Sequence, residues 1–389
     1  MRHTRWFPLV PRPRPPGDSL QARVERLTAA GQTARFGAAK DAVTAAAQVY
    51  NGAALLASDV GLPDLAREWC WEHARTYLAH LPLDSAGAQR ALEPVVNLAR
   101  LRIRAGEGTK ALAMLTALRN GIRTAKSIVI DGYELPLDRL TVSEEDRVEL
   151  HRWVWMVCLG DGLRALAAEG RWQEAAEQAR QYGGIGDRLF DGRQVAVIAA
   201  LTSGHPMTAL DMVQGSEVQE PWERAVQAVL ALWCREESGD AAADDVEAAL
   251  DRVRAVESRQ VVFTTRLGII ATELTRGSQG DASALVSQLV STAVRAQDGY
   301  AVRDLLTAWE GKLASHQVSS LISVLEASGL DRRTLHEPLL HKLRAAISEA
   351  GRRLEGFSIP AHTRASITPG TKHCWWPTGQ CAWRSVMRA

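Results

Sequence analysis

A glycine followed five residues later by an alanine recurs along the chain, at Gly61/Ala66, Gly106/Ala111, Gly170/Ala175, Gly204/Ala209 and Gly277/Ala282. Each pair falls where one apolar helical pattern stops and the next starts. Glycine admits the left-handed or tight backbone that ends a helix, and a small alanine lets the next helix come close. Gly239 holds the same place in the rhythm, with Asp244 where the alanine is expected. From Ser19 to about Gly356, apolar residues return at three- and four-residue spacing, with short breaks at Gly, Pro and Asp. That is helical periodicity, and nothing strand-like repeats.

The separations from Gly170 to Gly204 and from Gly204 to Gly239 are 34 and 35 residues. These match the helix-turn-helix unit of a tetratricopeptide array. Ala54 and Ala99, seven positions before Gly61 and Gly106, stand where the first helices of that family carry a small residue. On these residues the chain resembles the tetratricopeptide-like family over roughly residues 40–315. It departs from the family in its aromatic positions, mostly Leu, Val or Ala here, in lacking a Pro at the end of each unit, and in its irregular spacing of 45, 64, 34, 35 and 38 residues. The resemblance implies an all-α fold, an α/α superhelix of tetratricopeptide-like repeats. It also implies that the first helix of each unit lines a concave groove. Asn51, Arg100, Arg164 and Gln194 then fall at groove positions, with Asn97 and Arg193 as neighbours on the same helices. Arg offers a planar fork for carboxylates and Asn can clamp a peptide backbone. The competing reading is that these side chains cap helices, pair with Asp59 or Asp161, or face solvent.

Three segments interrupt the helical pattern. Residues 1–18 hold Pro8, Pro11, Pro13, Pro15 and Pro16 between Arg12 and Arg14, a composition that favours an extended polyproline II arm. A solvated tail is the leading expectation for it, and docking on an aromatic groove of a partner the alternative. Residues 122–145 explain the 64-residue gap: β-branched Ile128, Val129 and Ile130 meet Asp131-Gly132, then Tyr133 and Leu135, a short hairpin signal. Ser143 ahead of Glu145 and Asp146 reads as a helix start. The expected organisation is thus a flexible arm (1–18), a helical repeat domain (19–356) with a hairpin insertion, and an irregular tail (357–389). In the tail, His362, His373, Cys374 and Cys381 raise zinc binding or a redox-sensitive loop. The six-residue spacer fits a zinc knuckle poorly, and a non-native extension leads.

Composition narrows the function. Lys and Arg number 46 against 45 Asp and Glu, a net charge of +1, so the surplus of cations that phosphate contacts require is missing and direct nucleic-acid binding is not expected. Six of the 46 are lysines, which points to a GC-rich coding bias and a bacterial source. No window approaches the roughly 20 apolar residues of a membrane span, no apolar stretch near the start fits a signal peptide, and cytoplasm is the expected location. P-loop, dinucleotide-fold, HExxH, GxSxG and CxxC motifs are all missing, so neither catalysis nor a cofactor is expected. Trp69, Trp71, Trp153, Trp155, Trp172, Trp222, Trp233 and Trp309 are assigned chiefly to core packing, a minority to ligand anchoring. The function expected is a non-catalytic scaffold or adaptor for a protein or peptide partner. The alternatives are a peptide- or ligand-sensing regulatory subunit without its own DNA-binding module, and an accessory protein in peptide modification.

Overall fold

A computed structural model of the chain describes residues 3–12, 15, 17–256, 260–275 and 279–356. The tail at 357–389, with its cysteines and histidines, lies outside the described residues, as does Gly277. Among the described residues the fold is all-α, with one small hairpin. The elements are a 3₁₀ turn at His3–Trp6, α1 (Leu20–Phe36), α2 (Ala39–Asp59), α3 (Pro63–Leu78), α4 (Ser85–Arg104), α5 (Gly108–Thr124), strands β1 (Ile128–Ile130) and β2 (Tyr133–Leu135), and α6 (Glu144–Ala168). There follow α7 (Trp172–Gln181), α8 (Asp191–Thr202), α9 (Pro206–Gln214), α10 (Pro221–Ser238), α11 (Ala243–Arg254), α12 (Val261–Leu274), α13 (Gln279–Arg295), α14 (Gly299–Ala308), α15 (Ser315–Ser328) and α16 (Glu337–Glu355).

The turn glycines explain this succession. Gly61, Gly106, Gly170, Gly204 and Gly239 all have positive φ, between 71° and 82°. At each, the residue after the glycine donates its N–H to the carbonyl five residues back, as Leu62 does to Ala57, Arg171 to Leu166 and His205 to Ala200. The glycine N–H itself reaches the carbonyl three residues back, as Gly204 does to Leu201. This pair of bonds is the Schellman ending, which satisfies carbonyls that a helix leaves open. Four of the next helices begin two residues after the glycine, so the alanine is their fourth residue, and Ala66, Ala111, Ala175 and Ala209 are fully buried. After Gly239 the helix starts later. Asp244 is exposed, and Ala249 is buried in its stead.

The chain forms two compact units. The first comprises residues 20–165 with 331–356; the second comprises the described part of 1–19 with 166–330. In the first, each helix from α1 to α5 packs on the next, and α16 returns to lie on α1, α2 and α3. Gly31 makes the return possible, because a Cβ there would stand 3.0 Å from that of Ala346. In the second, each helix from α7 to α15 packs on the next, α10, α12 and α14 lie side by side, and so do α11, α13 and α15. That two-layer alternation is the packing of a helical repeat.

The insertion folds as its sequence suggests. Ile128 pairs with Leu135 and Ile130 with Tyr133 across an antiparallel ladder, closed by Asp131 and Gly132 at φ of 50° and 82°. Two positive φ values in a two-residue loop are what a type I′ turn needs. The Tyr133 ring rests 4.6 Å from that of Trp71, under the Arg75 guanidinium, so the hairpin is held against α3. Ser143 accepts from the Asp146 N–H at 3.1 Å and opens α6.

Gly106, Gly170, Gly204 and Gly239 have open space where a Cβ would go, so the demand on them is conformational alone. Gly204→Ala is expected to lower stability by about 1–2 kcal/mol, the strain of an alanine in the left-handed region. Gly186→Ala, equally open and free of positive φ, is expected to be neutral within about 0.5 kcal/mol, as urea unfolding of the two variants would measure.

Candidate functional site

Asn51, Asn97 and Arg100, three of the polar residues singled out in the first unit, meet one another. Asn51 on α2, Asn97 on α4 and Asp161 on α6 stand ten, nine and nine residues before their turn glycines, at near-equivalent places. Arg100, one turn beyond Asn97, places Nε and Nη2 3.0 and 2.9 Å from Asp161 Oδ2 and donates from Nη1 to Asn97 Oδ1 at 2.9 Å. Asn97 Nδ2 then donates to Asn51 Oδ1 at 3.0 Å. The chain of bonds crosses three first helices, and all four residues are buried, with exposures of 9% or less. Arg164 lies one turn further along α6 and is half-buried. Arg100 is thus bonded to Asp161 and to Asn97, and Asn97 to Asn51, all within the first unit. These groups are buried, where an unpaired polar group would be costly.

A second polar knot lies at the end of α2. The buried Asp59 carboxylate receives Arg23 of α1 and Arg104 of α4, and its backbone carbonyl accepts from Asp331 N–H at 2.8 Å. Glu93 on α4 is partly buried. Burial raises its carboxyl above the usual carboxylate range, against the lowering pull of Arg100 and Arg90.

His73 on α3 is the buried titratable group that spacing arguments missed. Its ring stacks on Tyr50 at 4.8 Å and tilts against Tyr77 at 5.5 Å, and neither ring nitrogen has a hydrogen-bond partner. Burial pushes its pKa down to about 3 and that of the Tyr77 hydroxyl up to about 12. The thiols of Cys70, Cys158 and Cys234 are buried, each pushed by burial up to about 12, and so unreactive. Trp69, Trp71, Trp153, Trp172, Trp233 and Trp309 are buried, while Trp155 and Trp222 are half-buried.

In the second unit, Arg193 and Gln194 of α8 do not join such a ladder. Arg193 donates to Ser216 Oγ at 2.7 Å and to the carbonyls of Gly186 and Met212 at 3.0 and 2.9 Å, tying the loop before α8 to the end of α9. Gln194 is fully buried and donates to the Leu189 carbonyl.

That unit carries instead the amino-terminal arm. An extended, solvated arm is the expectation from its prolines. In the structure His3–Trp6 makes a 3₁₀ turn packed on α12, and Trp6, Phe7 and Leu9 are buried. His3 Nδ1 lies 2.8 Å from Glu273 Oε2 at the end of α12, and its ring meets Trp233 of α10 edge-on at 5.5 Å. Val10 N–H donates to Asp191 Oδ1 at 2.8 Å, and Arg12 stands 3.4 Å from Oδ2 of the same carboxylate. Further on, Gly17 accepts from Gly299 N–H at 2.9 Å, and a Cβ on Gly17 would fall 2.8 Å from the Tyr300 ring. The physical reason for the difference is the apolar run around Pro8, Trp6 and Phe7 before it and Leu9 after it, which gains by leaving water.

Among the described residues, no three His, Cys, Asp or Glu side chains converge as a metal site would require, and no helix is long and apolar enough to cross a membrane. No family model matches the chain, and comparison with curated proteins and with solved structures also gives no match.

His73 supplies a pH test of this core. With the folded pKa near 3 and the ordinary value at 6.5, the unfolded chain takes up the proton first, so stability is lost as pH falls from 6.5 toward 3. Between pH 7 and pH 5 the loss attributable to His73 is roughly 2 kcal/mol. His73→Phe, which keeps the stack on Tyr50, is expected to remove that part of the acid sensitivity in urea midpoints taken at both pH values.

Proposed function

We propose that this chain is a tetratricopeptide-like helical-repeat protein that binds a peptide segment of a protein partner and carries out no chemistry of its own. The observation that carries the reading is the seat of residues 3–12. Alternate helices α8, α10 and α12 hold a short segment, a 3₁₀ turn followed by irregular chain, through two acidic side chains and a tryptophan. A repeat that can hold such a segment from its own chain has the apolar surface and end charges needed to hold another. The five Schellman-ended turns and the two-layer packing support the tetratricopeptide-like assignment. Buried thiols fit a reducing cytoplasm, and the scarcity of lysine among the basic residues supports a bacterial source.

This reading moves the binding surface away from Asn51, Asn97 and Arg100, which are bonded to one another within the first unit. The tagged full chain, captured from its own cells with bound proteins identified by mass spectrometry, is expected to bring down a protein partner in stoichiometric amount. A chain recovered alone, or with a small molecule only, would count against a scaffold and favour a sensor or an enzyme.

A further inference from the structure

The arm is joined to the rest of the second unit in an unusual way for a piece of core. It adds no strand and no continuing helix, and its contacts are made by side chains at the two ends of a short track. At one end His3 meets Glu273 and Trp233; at the other, Val10 and Arg12 meet Asp191. Between them Trp6, Phe7 and Leu9 are buried. The track is thus acidic at its ends and buries the arm's aromatic and aliphatic run between them, and the arm is the complement at those ends, with His3 and Arg12 flanking that run.

The fit is imperfect in two places. Leu9 has φ of 56°, a left-handed conformation that a branched side chain adopts only under constraint. The buried indole N–H of Trp6 has no hydrogen-bond partner. Both defects weaken the arm on its seat, and the apolar gain must also offset the ordering of some ten residues of chain.

We propose that residues 3–12 are a peptide bound in cis to a recognition face on α8, α10 and α12. The ligand of that face in trans is an extended partner segment of the same chemistry, an aromatic–aliphatic run between basic residues. Such a segment, free of the Leu9 strain, displaces the arm, so the arm sets the threshold for binding. This rests on the peptide-binding reading above and adds to it the site, the ligand class and the autoinhibition.

The test uses the full chain and a fluorescein-labelled synthetic peptide with the sequence of residues 1–18. Trp6→Ala combined with Leu9→Ala weakens the arm without touching the face. The double variant is expected to bind the peptide at least tenfold more tightly than the native chain by fluorescence anisotropy. Adding Asp191→Asn to it is expected to lower that affinity about tenfold while the helical circular dichroism persists. If the double variant is itself destabilised, added peptide should restore its Tm. A folded double variant that ignores the peptide, or a destabilised one that the peptide does not rescue, would show the arm to be a fixed part of the fold. If capture from cells recovers the same partner in equal amount with native chain and double variant, the scaffold reading survives and cis occupancy falls.

Discussion

A single run of buried hydrogen bonds, from Asn51 through Asn97 and Arg100 to Asp161, sets the register of α2, α4 and α6. Apolar contact between helices is tolerant of sliding, because leucine and alanine side chains gain nearly as much from one neighbour as from another. A guanidinium that must find one carboxylate and one amide is not tolerant. The direction of the run is fixed as well. Asn97 accepts from Arg100 through its oxygen and so has its amide nitrogen left to donate to Asn51. Asp59, between Arg23 and Arg104, does the same for α1, α2 and α4. These groups lie where burial without partners would be strongly unfavourable, so the packing that buries them and the pairing that satisfies them require each other.

Much of this was legible in the sequence, and the reasons are local. A glycine whose φ must be positive and an alanine at a fixed distance declare a Schellman turn and a close helix, because both depend on residues within about one turn of each other. Asp131-Gly132 between β-branched runs declared its hairpin on the same ground, and Ser143 its helix start. The polar residues were only half legible. Their spacing from the turn glycines puts Asn51 and Asn97 at near-equivalent places on α2 and α4, with Arg100 one turn beyond Asn97. Position alone does not show which side chains bond one another; the partner that Arg100 finds, Asp161, lies on α6, 61 residues away.

What was not legible depends on contacts far apart in sequence. The seat of α16 on α1 joins residues more than 300 positions apart, as in the Arg35–Glu349 pair. The arm was obscured by composition: its prolines and arginines describe a solvated segment, while Trp6, Phe7 and Leu9, which decide its fate, are a minority within it. Asp191 and Glu273, which receive it, stand in α8 and α12 with nothing in their local sequence to mark them. His73 was hidden for a similar reason, since a histidine within an amphipathic helix reads the same whether it faces a stack of tyrosines or water.

The polar ladder thus belongs to the fold of the first unit, while the seat of residues 3–12 in the second is the one proposed for recognition. Arg100 acts by holding Asp161 and Asn97, and a double-mutant cycle at Arg100 and Asp161 tests this role most directly. Arg100→Met and Asp161→Leu are each predicted to cost about 3 kcal/mol in urea unfolding, and the double variant to cost at least about 1.5 kcal/mol less than their sum. Single costs near 0.5 kcal/mol that simply add would be those of an exposed, uncoupled pair, and would contradict it.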